Sequence, residues 1–184
     1  MEKARALCIS LFNAICYATN LPIMAFGIYF ILLLLIGCKA TRDNKPEVIK
    51  LNDIELSDLK SQPIDQSQLK GKIVFVNFWA TWCRPCIEEM PTILKLQEML
   101  KGENIEFFFA SDEELERIEA FAAKRGMNAN FVRVDNPESL GIQALPTTYV
   151  FDAKGDLVFS EVGFRNWTDE TSIEIVKKLI SDND

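Results

Sequence analysis

From Ala6 to Gly37 the chain runs through 32 consecutive residues without a charge, and this run decides how the rest can be organised. A soluble domain cannot spread so long an uncharged segment over its surface. Its most apolar part, Leu21 to Ile36, ends in Ile31-Leu32-Leu33-Leu34-Leu35-Ile36. The run is long enough to cross a hydrocarbon core of about 30 Å, with Asn13, Asn20 and Pro22 leaving the second half as the better span. With Lys3 and Arg5 before it and Gly37 at its end, it also has the basic, apolar, small-residue order of an export signal. The charge balance changes across it: the first 45 residues hold five Lys/Arg against two acids, whereas residues 46–184 hold 15 against 25. The chain beyond the run is long enough for one well-packed domain. The expected organisation is a signal peptide or membrane anchor at 1–37, a polar tether at 38–47 and a folded domain at 48–184.

The run closes in Leu35-Ile36-Gly37-Cys38, which resembles the lipobox of bacterial lipoproteins. That resemblance implies cleavage before Cys38 and lipidation of its sulfur; the other reading is an uncleaved N-terminal membrane helix. Either would hold the domain on the periplasmic or outer side of a membrane. Cys8 and Cys16 lie inside the uncharged run and read as small apolar residues.

The acidic domain is a poor match for nucleic acid, whose phosphates call for clustered Lys and Arg. Histidine is absent altogether. That excludes His-ligated zinc, Ser–His and Cys–His catalytic pairs and haem attachment through C-x-x-C-H. Chemistry here has to run on Cys, carboxylates, amides or hydroxyls.

Hydrophobic periodicity places Lys72–Phe78 and Ile105–Ala110 as buried strands, with a helix opening at or just after Cys83 between them. Ile87, Met90, Leu94 and Leu96 to Leu100 form the expected inner face of that helix, and Pro91 should kink it. Ser111-Asp112-Glu113-Glu114 reads as the cap and acidic first turn of a second helix, ended by Gly126, with Leu115, Ile118, Phe121 and Ala122 inward. Phe131–Val134 is a short strand. Thr147–Phe151 and Leu157–Val162 flank a glycine turn and read as a hairpin. Thr168 is expected to cap a last helix carrying Ile173, Val176 and Ile180. The stretch Val48–Leu69 suggests a short hairpin and a connecting loop. Strands alternating with helices imply an α/β sheet with helices on both faces.

Trp82-Cys83-Arg84-Pro85-Cys86 carries the candidate chemistry. Two cysteines three positions apart at a helix start can close a small disulfide ring. The first then meets the unpaired N–H groups and the positive end of the helix dipole, both of which stabilise a thiolate. Pro85 loses nothing by lacking an N–H in the first turn. Half of a structural zinc site is the competing reading, but the three other cysteines all lie in residues 1–38 and no histidine is present. A purely structural disulfide would remove little chain entropy from so small a loop.

Val76-Asn77-Phe78-Trp79-Ala80-Thr81-Trp82-Cys83-Arg84-Pro85-Cys86, followed by Glu88-Glu89-Met90-Pro91, resembles the thioredoxin superfamily in its exported TlpA/ResA-like branch. A second block, Gly141-Ile142-Gln143-Ala144-Leu145-Pro146-Thr147-Thr148-Tyr149-Val150-Phe151-Asp152, then Gly155 and Gly163, resembles the same branch in the same order. The resemblance runs from about Val48 to Ile180. It implies a thioredoxin-like fold, a central mixed sheet of four or five strands flanked by helices, with an insert at roughly Asp112–Val134. It also implies a cis-proline at Pro146 that orients the Leu145 backbone for pairing with a substrate strand, with Trp82 packed at the dithiol. Glu89 takes the place of an acidic residue that exchanges a proton with Cys86. Asn77 stands where cytoplasmic thioredoxins have a buried Asp, and an amide cannot exchange protons near neutrality, so Glu89 is the better candidate.

The implied activity is that of a membrane-tethered thiol–disulfide oxidoreductase running as a protein-disulfide reductase, with Cys83 attacking and Cys86 resolving. Its expected partners are disulfide-containing exported proteins and a membrane or periplasmic redox protein that restores the dithiol, with no cofactor, metal or nucleic acid. A thiol peroxidase of related fold is one alternative, though those enzymes resemble a Thr/Pro-containing loop without a tight C-x-x-C. A thioredoxin-like copper chaperone is another, and resembles C-x-x-x-C with a distant His.

Overall fold

Ile73–Phe78 is made of branched and aromatic residues apart from Asn77, is buried along its whole length, and is an interior strand of the sheet. The computed structural model describes residues 49–182. Its strands are β1 (Leu56–Ser57), β2 (Ile73–Phe78), β3 (Ile105–Ser111), β4 (Phe131–Val134), β5 (Thr147–Phe151) and β6 (Leu157–Val162). The helices are α1 (Arg84–Met99), α2 (Leu115–Arg125) and α3 (Glu170–Ser181), with short 3-10 turns at Leu51–Asp53, Gln66–Leu69 and Pro137–Leu140. The sheet runs β1-β4-β3-β2-β5-β6. β2, β3 and β4 are parallel, while β1 and β5 pair antiparallel to β4 and β2. This is a mixed sheet, as expected, but of six strands rather than four or five.

The extra strand comes from the stretch read as an N-terminal hairpin. The expected turn-back is there, with Ser57 bridging Pro63 antiparallel and Ile64 N donating to Leu56 O at 2.8 Å. On their other side Leu56 and Ser57 pair with Val134 and Arg133 at the far edge of the sheet. Two residues are too few for an alternating pattern to show, and their partners lie far along the chain.

The sequence implies helices on both faces, and here the structure differs. Cys86, Met90, Ile93 and Leu96 of α1, Ile118 of α2, and Val176 and Ile180 of α3 all join one buried cluster with Phe75, Phe107, Phe109, Phe131 and Val150. The reason lies in the connections. β2–α1–β3 and β3–α2–β4 are successive parallel crossovers stepping the same way across the sheet, and right-handed crossovers of that kind put both helices on one face. The other face, with Val74, Val76, Phe78, Phe108 and Tyr149, is covered by Leu51, Ile54, Leu69 and Leu140 from the N-terminal segment and the 3-10 turns.

Two helix starts also differ. Ser111 remains in β3, and α2 begins at Leu115 after Glu114, which makes no side-chain cap. Asp169, not Thr168, caps α3 through its carboxylate and Ser172 N. On α1, Ile93 and Glu89 are buried while Ile87 and Leu94 are only half-buried and Met99 is exposed. The helix runs through Pro91 as one element. Gly126 ends α2 in the left-handed region at φ 59°, where a Cβ would be disfavoured. The hairpin bounds match the sequence reading, with Gly155 in its turn. The uncharged run, the tether and Cys38 lie outside the described residues. No helix among the described residues is long and apolar enough to cross a membrane.

Candidate active site

β2 delivers the chain to the C-terminal edge of the sheet, the edge at which open α/β sheets place their sites. After Phe78 a short loop leads to Cys83, which is the N-cap of α1. Its sulfur accepts the Cys86 N–H at 3.3 Å, one of the N–H groups that a helix start leaves without a backbone partner. Cys83 and Cys86 form a disulfide with sulfurs 1.98 Å apart. Cys86 is 0% exposed and Cys83 is 4% exposed, so an incoming sulfur reaches Cys83 first. Arg84 extends into solvent and pairs with Glu88 at 2.9 Å.

Glu89 lies one turn along α1 from Cys86 and is 0% exposed. Its Oε1 accepts the indole N–H of Trp167 at 2.5 Å. Its Oε2 is buried with no hydrogen-bond partner among the described residues. Burial pushes the carboxyl up to about 7, against the Trp167 indole, the Arg165 backbone and the Asn77 side chain, which favour the anion. A group balanced near neutrality can take a proton from a neighbouring thiol and release it again. Asn77 is fully buried on β2, and its Nδ2 donates to Thr148 Oγ1 at 3.0 Å.

The Leu145–Pro146 peptide is cis, as the resemblance implied. Pro146 is buried, and its carbonyl accepts from Gly163 N at 2.8 Å. Leu145 packs against the cluster that contains both cysteines. Leu145 and Trp82 also line a common cleft of about 350 Å³ with Phe78, Ala110, Asp112 and Ile142. Trp82 is 71% exposed at its rim, whereas Trp79 is buried among Phe121 and Phe131. Cys83, Cys86, Glu89, Leu145, Pro146 and Trp82 therefore gather at one end of the sheet.

Sequence reasoning passed over two groups at this site. Trp167 lies 78 positions from the carboxylate it holds, and nothing local marks it. Glu113, read as part of a helix cap, instead accepts from Thr81 N at 2.6 Å and Thr81 Oγ1 at 2.8 Å. Burial opposes its charge, but the Thr81 bonds and Arg117 outweigh that and hold the carboxyl below the usual range.

A family model described as Redoxin matches residues 46–177. The chain belongs to the redoxin family. Among its relatives, the thiol-disulfide oxidoreductase ResA of Bacillus thuringiensis is 32% identical over 113 residues, covering 59% of this chain and 65% of that protein. The match thus spans just under two thirds of that relative's length. Thioredoxin-like protein YneN of Bacillus subtilis is 34% identical over 125 residues, covering 60% of this chain and 68% of its own. Among solved structures, a thiol:disulfide interchange protein of Chlorobium tepidum superposes with a TM-score of 0.59 at 27% identity, covering 75% of this chain and 99% of that one. Together they make this redoxin a thioredoxin-superfamily protein of the TlpA/ResA-like kind, with a thioredoxin-like fold.

Proposed function

We propose that this redoxin is a thiol–disulfide oxidoreductase that reduces disulfides in exported proteins while tethered at a membrane. The observation that carries the reading is Cys83 at the N-cap of α1, its sulfur accepting the Cys86 N–H, with the buried Glu89 one turn beyond. In the dithiol form, the Cys83 thiolate attacks one sulfur of a partner disulfide. A Cys83–partner bond forms and the partner's other sulfur leaves as a thiolate. Glu89 takes the proton of Cys86, whose thiolate attacks Cys83 Sγ and expels the second partner sulfur. The partner gains two electrons and two protons, and the Cys83–Cys86 disulfide is left. A membrane or periplasmic dithiol protein then restores it. Leu145 lines the cleft beside Trp82, and the cis peptide to Pro146 would orient the Leu145 backbone for pairing with a substrate strand, with Trp82 as an apolar rim.

The pairing of Arg84 with Glu88 favours the reducing direction, because it partly neutralises the cation next to Cys83. No histidine is available to hold the thiolate more strongly. Insulin reduction by the full chain should vanish in Cys83→Ser. A reduction potential near the strongly oxidising end of the range, about −120 mV, would contradict the direction, and activity surviving Cys83→Ser would contradict the mechanism.

Tethering rests on the sequence of residues 1–47, with Cys38 lipidated or the run kept as a membrane helix. Metabolic labelling with a fatty acid separates the two: incorporation lost in Cys38→Ala supports the lipid, and membrane association without label supports the helix. Recovery of the unlabelled chain in the soluble cytoplasmic fraction would contradict both.

A further inference from the structure

Glu113 stands in the segment between β3 and α2, yet its carboxylate is spent on the loop between β2 and α1. Its side chain is only 8% exposed. One oxygen accepts from Thr81 N at 2.6 Å and, at 3.4 Å, from Ser111 Oγ. The other accepts from Thr81 Oγ1 at 2.8 Å and from Arg117 Nη1 at 3.1 Å. Thr81 is the residue before Trp82 and two before Cys83. Both segments that Glu113 joins line the cleft next to the dithiol loop: Trp79 and Trp82 come from one, Ala110 and Asp112 from the other, and residues between Val134 and Leu145 complete it. An ionised carboxylate gripping a main-chain N–H and the hydroxyl of the same residue restrains both position and rotation of that loop.

We infer that Glu113 is a positioning residue for protein substrates, latching the Thr81–Trp82 loop to the β3–α2 segment so that the cleft beside Cys83 keeps one width. The inference rests on the reductase reading above. A polypeptide disulfide has to seat its flanking chain in the cleft, against Trp82 and Leu145, before sulfur meets sulfur. A small soluble disulfide needs only Cys83 Sγ. Loosening the latch therefore raises KM for a protein disulfide while leaving kcat and the reaction with a small disulfide close to their original values. Neither a general loss of structure nor a changed Cys83 thiol separates the two substrates in this way.

The test compares wild type with Glu113→Ala, Glu113→Gln and Thr81→Val, each as the full chain in detergent. Insulin and a small aromatic disulfide serve as substrates. Glu113→Ala should raise the insulin KM about tenfold, the scale of one charge-assisted hydrogen bond, with kcat and the small-disulfide rate within about twofold. Glu113→Gln keeps an oxygen for the Thr81 N–H and Thr81→Val keeps that N–H, so both should show a smaller rise, about threefold. These two milder variants carry the test if Glu113→Ala does not fold. An unchanged insulin KM in all three, or an equal fall on both substrates, overturns the latch while leaving the reductase reading in place. A wild type inactive on both substrates overturns the reductase reading itself and the latch with it.

Discussion

Trp167 and Glu89, 78 residues apart, meet in the core through a 2.5 Å bond from the indole N–H to one carboxylate oxygen. The same tryptophan donates its backbone N–H to Thr92 Oγ1 at 3.2 Å, so it grips α1 at two neighbouring points. Phe75 and Phe159 pack edge-on against the indole and the Arg165 guanidinium lies 5.5 Å from its ring centre. Arg165 in turn pairs with Glu161. A carboxyl that would otherwise be an uncompensated buried charge is thereby held in one place, with its second oxygen unoccupied by any donor among the described residues.

The first consequence is a pH-dependent stability that belongs to Glu89. Its folded pKa is raised from 4.5 to about 7. Between those values the unfolded chain has released the proton and the folded chain has kept it, so stability falls as pH rises, and levels off above about 7. The fall should be on the order of 3 kcal/mol for the wild type. Urea denaturation of the oxidised protein from pH 5 to pH 8 should show this slope, and Glu89→Gln should flatten it.

Replacing Trp167 by Phe keeps most of the apolar volume and removes the N–H. Glu89 then loses the largest contribution favouring its anion, and its titration moves to higher pH. Resolution of a preformed Cys83 mixed disulfide should slow by roughly three- to tenfold at pH 7 and recover at higher pH. A rate loss equal at every pH would mean that Trp167 contributes packing alone.

Asn77→Asp places a second carboxyl beside Glu89, in a site that is fully buried. Two such groups cannot both ionise at little cost, so one is driven further toward its neutral form. The variant should be less stable than wild type by about 1–3 kcal/mol at pH 8, with the difference shrinking as pH falls toward 5. Denaturation at the two pH values measures this directly.

Trp82→Ala removes an exposed ring, so stability should change by no more than about 0.5 kcal/mol. The insulin KM should rise severalfold because the rim of the cleft is lost. Tm and steady-state kinetics on the same preparation separate the two effects.

The parts of this site that could be read from sequence are those with local signals. A short apolar run before C-x-x-C marks β2 and the start of α1, and a glycine turn between two β-branched runs marks the β5–β6 hairpin. Pro146 was legible only through resemblance, since nothing in its immediate chemistry demands a cis bond. The features that stayed hidden depend on distant partners. Resemblance marks Glu89 as a proton-exchange candidate, but its burial under Trp167 has no local signal. Ser111-Asp112-Glu113-Glu114 satisfies the pattern of a helix cap, but Glu113 makes more bonds by turning to Thr81, so the tertiary contact overrides the local one. β1 is two residues long and exists because β4 offers it an edge. The single-sided arrangement of α1, α2 and α3 comes from crossover direction, which periodicity does not report.

The most direct measurement is the alkylation rate of each thiol in the reduced full chain as a function of pH. The N-cap position of Cys83 predicts a thiolate that forms below about 7.5 and reacts at neutral pH, while the fully buried Cys86 stays inert. If both sulfurs react only near the ordinary cysteine value of about 8.5, Cys83 is not an activated nucleophile and the reductase mechanism fails.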